Sequence, residues 1–173
     1  VIVHPKKSIV IPLAPEPITK QDGSNKNDCE RNAAKRLLEN VRREHPHLKL
    51  IVIEDGLSSN GPHIKLLNAL DMRFILGAKS EDHRFLFDWV AAEKCQEFEE
   101  IDQAGVKHRY RFINSVPLND THFDLKVNFL EYWETKSNGK IQHFSWVTDI
   151  EITKETVELI MRGGRARWRI ENE

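Results

Sequence analysis

Two acids and a run of arginines are the residues in this chain whose types and spacing could do chemistry. Asp55 ends the mostly apolar stretch LIVIED, residues 50–55. Glu171 lies in RGGRARWRIENE, residues 162–173, among Arg162, Arg165, Arg167 and Arg169. Carboxylates are the hard oxygen ligands that a divalent cation such as Mg²⁺ takes, and forked guanidiniums match phosphate oxygens. The combination points to a divalent-metal site that works on a phosphate backbone.

Each candidate also has a purely structural reading. On a strand, Ile51, Ile53 and Asp55 share a face, so the carboxylate emerges at the carboxyl edge of a sheet, where ligands gather in open α/β folds. Aspartate before Gly56 is equally an ordinary turn pairing. Glu54 faces the other way and reads as solvated. On a helix, Val157, Met161, Gly164 and Trp168 form one stripe, which Glu171 continues. A carboxylate there would face the sheet, a costly place without a cation; the alternative is an ion pair with Arg167 four residues before it. The four arginines spread around the helix, so not all can serve one ligand. Gly163-Gly164 costs about 1 kcal/mol of helix stability per glycine. Close approach of something to the backbone would explain that cost, and a simple kink is the alternative.

The elements that must position these residues can be read in outline. A length of 173 residues suits one domain with a real core, with room for an insertion. With 39% hydrophobic and 31% charged residues the chain reads as globular, and no apolar run approaches the roughly 20 residues of a membrane helix. VIVHPKK at the amino end is a strand stub rather than a signal pattern. Cys29 and Cys95 lack CxxC company, which fits a reduced, cytoplasmic interior. A net charge of -1 excludes a protein that coats nucleic acid non-specifically; any positive field must be local. The chain has no dinucleotide or Walker glycine loop, no serine elbow and no histidine pair at metal-ligand spacing.

In order, residues 1–3 and 8–13 read as a hairpin, followed by a proline-rich loop through Gly23. Asn27, with Glu30 three residues on, reads as the N-cap of a helix with Cys29, Ala33, Leu37 and Val41 on its apolar side. Its charged residues, Arg31 and Arg36 among them, read as a solvated face. Residues 48–53 form the most apolar strand, expected to be buried on both faces. A helix over 62–70 and a strand over 72–76 complete a parallel crossover. Beyond residue 79 a helix over 82–92 precedes strands over 96–101, 106–114, 125–134 and 140–147, with a hairpin turn at Asn138-Gly139. Thr153 is expected to cap a last helix from residue 154. The division this predicts is an α/β core over 1–78, an antiparallel β-rich insertion over 79–150 laid on that core, and a terminal core helix over 151–173.

With Asp55 and Glu171 singled out, the chain resembles the DDE transposases of bacterial insertion sequences, whose catalytic domain is RNase H-like. The resemblance covers essentially the whole chain and rests on KNDCERNAAKRLL, IVIEDG, FILGAK, HFSWVTD and RGGRARWRIENE. It implies a mixed sheet flanked by helices, with the β-rich insertion placed before the last helix. It implies that Asp55 is the second catalytic aspartate and that Arg167 and Glu171 are the R-x3-E of a Y-x2-R-x3-E-x6-K signature. Asp55 and Glu171 would ligate Mg²⁺ (or Mn²⁺), Arg162, Arg165, Arg167 and Arg169 would contact DNA, and Trp146 would stack on a flipped base. For Trp146 a buried ring joining insertion to core is the alternative. The implied activity is metal-dependent DNA cleavage and strand transfer at insertion-sequence ends in a bacterial cytoplasm, by a parent protein that is dimeric in its synaptic complex with transposon ends and target.

The departures carry expectations too. Gly164 stands where the signature has tyrosine, and the sequence stops before its lysine. The first catalytic aspartate belongs on a strand upstream of the opening hairpin, so the resemblance implies a piece truncated at both ends, its core lacking the first strand. Such a piece would be inactive alone and prone to associate through open strand edges. Asp22, in Asp22-Gly23-Ser24, imitates the Asp-Gly-Thr of that missing residue but follows a proline-rich loop; Asp28 and Asp149 are weaker candidates. A degenerate or domesticated remnant that only binds DNA or a protein partner is the alternative function, with a stand-alone RNase H-like nuclease third.

Overall fold

Alternating side chains along the strands divide the apolar residues between the two faces of one sheet. The computed structural model describes residues 1–167. β1 (Ile2–His4) and β2 (Lys7–Ile11) form an antiparallel hairpin that is a sheet of its own. α1 (Lys26–Glu44), β3 (Ile51–Glu54), α2 (Gly61–Ala69) and β4 (Arg73–Gly77) follow, then α3 (Arg84–Ala92). β5 (Gln96–Ile101), β6 (Lys107–Pro117), β7 (Lys126–Thr135) and β8 (Ile141–Thr148) precede α4 (Val157–Ala166). The strand order β3-β4-β8-β7-β6-β5 makes one mixed sheet, parallel at β3–β4 and antiparallel elsewhere, so the fold is mixed α/β. No described helix is long and apolar enough to cross a membrane.

One face carries Phe74, Leu76, Val127, Phe129 and Val147, covered by α1, α2 and α3 through Leu38, Val41, Ile64, Leu67, Leu86 and Val90. The opposite face carries Ile75, Tyr110, Phe112, Leu130, Tyr132 and Trp146 beneath α4, which contributes Val157, Ile160 and Met161. Strand β8 pairs with β4 on one side and β7 on the other, so the stretch over 79–150 joins the rest edge to edge in a continuous sheet rather than lying over it.

Three local expectations are corrected. The strand expected to be buried on both faces is an edge strand, with β4 as its partner and Ile51 49% exposed; a continuous apolar run does not distinguish a central strand from an edge whose far side stays open. Helix α1 begins at Lys26, and the Cys29 N–H bonds the Asn25 carbonyl, so Asn27 lies inside the first turn. Thr153 builds a turn before α4 instead of capping it. Its hydroxyl accepts the Glu155 and Thr156 N–H groups at 3.2 and 3.3 Å, its carbonyl accepts the Val157 N–H, and the helix starts at Val157.

The path into α4 is pinned by side-chain amides. Asn114 exchanges two hydrogen bonds with the backbone of Ile152, at 2.8 and 3.0 Å, and Asn128 donates to the Ile150 carbonyl at 2.8 Å. The glycine pair then explains itself. A Cβ on Gly163 would lie 2.9 Å from Ile75 Cδ1, and one on Gly164 would lie 2.5 Å from Cε2 and Nε1 of Trp146. What approaches this backbone is the protein's own sheet. Gly164→Ala should therefore lower the unfolding free energy by about 1–3 kcal/mol, the usual cost of forcing extra atoms into a packed core. In a Trp146→Phe background the same substitution should cost much less, which thermal melts of the two single variants and the double variant would show.

Candidate functional site

Asp55 sits where β3 ends and a 3-10 turn, Gly56–Ser58, begins. One carboxylate oxygen, Oδ1, accepts the Leu57 N–H at 3.0 Å and caps that turn. Among the described residues Oδ2 has no hydrogen-bond or ion-pair partner. Turn residue and exposed ligand are therefore compatible roles for one side chain. Gly77, ending β4, lies so close that a Cβ there would be 3.2 Å from the Gly56 nitrogen and 3.4 Å from the Asp55 carbonyl carbon. The β3 and β4 ends thus fix the Asp55 backbone between them.

A cleft of about 250 Å³ opens beside this turn. Ile53 and Asp55 line it from β3, Glu30 and Arg31 from α1, His63 from α2, and Arg167 from the end of α4. The structure thus brings together the first predicted acid and the arginine of the predicted R-x3-E pair. Glu171, Trp168 and Arg169, and the side chain of Asp28, lie outside the described residues. Among the described residues no group of three or more His, Cys, Asp or Glu side chains is arranged to hold a metal. Asp55 Oδ2 offers one hard oxygen of the kind Mg²⁺ or Mn²⁺ takes.

Two cleft residues were not candidates in the sequence reading. Arg31 is exposed, as expected of a solvated face, and also borders the cleft. Glu54 was expected to be solvated, yet its Oε2 is 2.6 Å from Nε2 of His63, whose side chain is only 9% exposed. Those two atoms touch without hydrogen-bond angles, so the contact is one of charge whenever the imidazole is protonated. A histidine two residues into α2, behind the Asn60 cap that accepts its N–H at 3.1 Å, was the available signal.

The remaining predicted DNA contacts are dispersed. Arg162 is exposed and paired with Glu158 at 2.7 Å. Arg165 bonds Glu134 of β7 and places its guanidinium carbon 4.9 Å from the Phe144 ring. Trp146 is 5% exposed, beneath Gly164 and stacked with Phe144, so in this arrangement its ring has no free face for a base. The buried-ring alternative describes its surroundings.

Neither a protein-family model nor a curated protein matches this chain.

Two of the weaker aspartate candidates are held in ion pairs. Asp149 binds the Arg73 guanidinium and accepts the Phe74 N–H at 2.9 Å, closing the end of β4 against β8. Asp22 is buried and clasped by Arg36, and it accepts the Thr19 N–H at 2.6 Å. Arg36 also binds Glu16 at 2.6 Å and the Pro17 carbonyl at 3.0 Å, tying the proline-rich loop to α1. The Arg36 hydrogen bond is the main reason the Asp22 carboxyl is held down, to about 2 from an ordinary 3.8. A depressed carboxylate adds stability above its unfolded-state pKa and loses it as pH falls through the folded value. Asp22→Asn should melt below the parent at neutral pH. The gap should narrow between about pH 4 and pH 2 and close below that, in melting temperatures taken across the acid range.

Proposed function

We propose that this chain is part of the catalytic domain of a DDE-type DNA transposase with an RNase H-like core. Such an enzyme is a polynucleotidyl transferase that cuts DNA at insertion-sequence ends and transfers them to a target. The observation that carries the reading is the shared cleft: Asp55, ending β3, and Arg167, ending α4, line one cavity from opposite ends of the sequence. Glu171 follows Arg167 at the R-x3-E spacing. The mixed sheet, with α4 on one face and α1, α2 and α3 on the other among the described residues, supports the same reading.

In this reading Asp55 and Glu171 would hold Mg²⁺ or Mn²⁺. The metal, when bound, supplies the positive charge that favours an attacking and a leaving oxygen in an in-line displacement at phosphorus. The chain's own groups set the stage. The Leu57 N–H holds one oxygen of Asp55 and so aims the other. Arg167 would hold a phosphate beside the scissile bond through its forked guanidinium, with Arg31 as a second cation on the α1 wall. Glu54 is engaged by His63. Asp22 and Asp149 are committed to Arg36 and Arg73, so neither is placed to supply the third acid that the reading requires.

The test joins the chain to an upstream segment carrying an Asp-Gly-Thr strand and supplies inverted-repeat DNA ends or random duplex. Cleavage should occur at the ends, require Mg²⁺ or Mn²⁺, and stop with chelator. Asp55→Ala and Glu171→Ala should each cost more than the roughly 10–100-fold that follows loss of a residue merely supporting a metal ligand. Parent-like cleavage by either variant, or no metal-dependent cleavage by the joined protein, would overturn the reading. DNA binding that persists without cleavage would favour the non-catalytic remnant.

A further inference from the structure

Arg165 and Arg167 stand two residues apart on α4, which sends them roughly 200° apart around the helix axis. Both are half-buried, flanking the stripe of Val157, Ile160, Met161 and Gly164 that packs on the sheet, while Arg162, more exposed and paired with Glu158, lies at the rim of the cleft that Arg165 enters. Arg167 enters the cleft beside Asp55. Arg165 enters a different cleft, of about 540 Å³, with Glu134, Tyr132, His108 and Phe144 among its walls.

That second cleft holds Arg165 by a fixed acceptor. Glu134 is 8% exposed, and its Oε2 takes both the Arg165 guanidinium and, at 3.2 Å, the Tyr132 hydroxyl. The Tyr132 oxygen is 2.7 Å from Nδ1 of His108, whose Nε2 lies 3.4 Å from Asp102. Phe144 closes the far side of the guanidinium. Burial alone would raise the Glu134 carboxyl, but the hydrogen bond and charge of Arg165 outweigh it and keep the carboxylate ionised. A phosphate would be repelled by that carboxylate. Because Arg167 is the C-cap of α4 and keeps helical backbone angles, a roll that pulled Arg165 out of its socket would carry Arg167 with it.

We infer that Arg165 is a positioning residue rather than a DNA contact: paired with Glu134, it sets the roll of α4 and hence the approach of Arg167 to Asp55. The inference rests on the transposase reading for its functional consequence, but its structural half can be tested apart from it.

The two roles for Arg165 differ in what Glu134 should do. If Arg165 binds phosphate, Arg165→Ala weakens DNA binding and flattens the salt dependence by about one unit of slope. Glu134→Gln, which removes a nearby negative charge, would then tighten binding or leave it alone. If the pair positions α4, the two substitutions share a phenotype. In the joined protein, DNA affinity and salt slope stay at the parent's values while kcat falls roughly 10–100-fold, the scale of a slightly misplaced group. The double variant should be no worse than either single, as for residues acting as one unit. Arg165→Lys, which keeps the charge but loses the planar fork, should lie between.

Hydrogen exchange supplies the readout that needs no activity. Glu134→Gln and Arg165→Ala should both speed exchange in the last turn of α4 and in the turn after Asp55, with a melting transition still present. Unchanged exchange in Glu134→Gln, or a lowered salt slope confined to Arg165→Ala, would overturn the inference. A joined parent protein that never cleaves would sink the transposase reading, leaving the exchange result to decide the clamp.

Discussion

The contact between α4 and the sheet is the constraint on which the second face of the molecule depends. Gly163 and Gly164 remove two side chains from the helix surface, and Ile75 and Trp146 occupy the space that results. Dispersion between such closely fitted atoms is individually weak and collectively large, and it falls off within an ångström of separation. The helix is therefore held at one depth against the sheet. Along it the arginines divide, Arg162 and Arg165 on the side of the Glu134 cleft and Arg167 on the Asp55 side. An arginine-rich helix end that looks uniformly basic in the sequence is divided between two clefts.

Strand β4 links that contact to the acid. Ile75, midway along it, lies under Gly163, and Gly77, at its end, presses on the Asp55–Gly56 backbone. The two walls of the Asp55 cleft are consequently referenced to one rigid strand rather than to a loop. Asn114 and Asn128 add a second reference by gripping the segment that leads into α4. Sites built on such supports hold their geometry better than sites hung on connections alone.

Much of this was legible beforehand, for identifiable reasons. Alternation in residues 96–147 gave the four antiparallel strands because side-chain period decides which face each residue meets. Asn138-Gly139 marked its turn because Gly139 adopts a positive φ, 79°, that glycine tolerates without strain. The stripe Val157, Met161, Gly164 is buried as its spacing required. What escaped depended on partners distant in sequence. Arg36 looked solvated because its partners, Glu16, Pro17 and Asp22, sit on a loop with no periodicity to place it. The glycine pair declared a cost, but nothing in the chain named Trp146 as its beneficiary. Local pattern fixes what a residue can do; the packing of remote elements selects which of those things it does.

Strand β8 carries one further consequence, for the order in which the molecule can form. It is the last strand of the sheet in the chain and the one that binds both halves, β4 on one side and β7 on the other. As the polypeptide is made, β3 and β4 emerge early, yet β4 keeps an unsatisfied edge until residues near 148 arrive. Helix α4, which packs on the face carrying Tyr110, Phe112 and Tyr132, comes later still. Until both arrive, the nascent sheet keeps apolar surface exposed, and a pairing as distant in sequence as β4 with β8 is of the kind that slows folding. A holding chaperone would be of most use in that interval, before α4 settles.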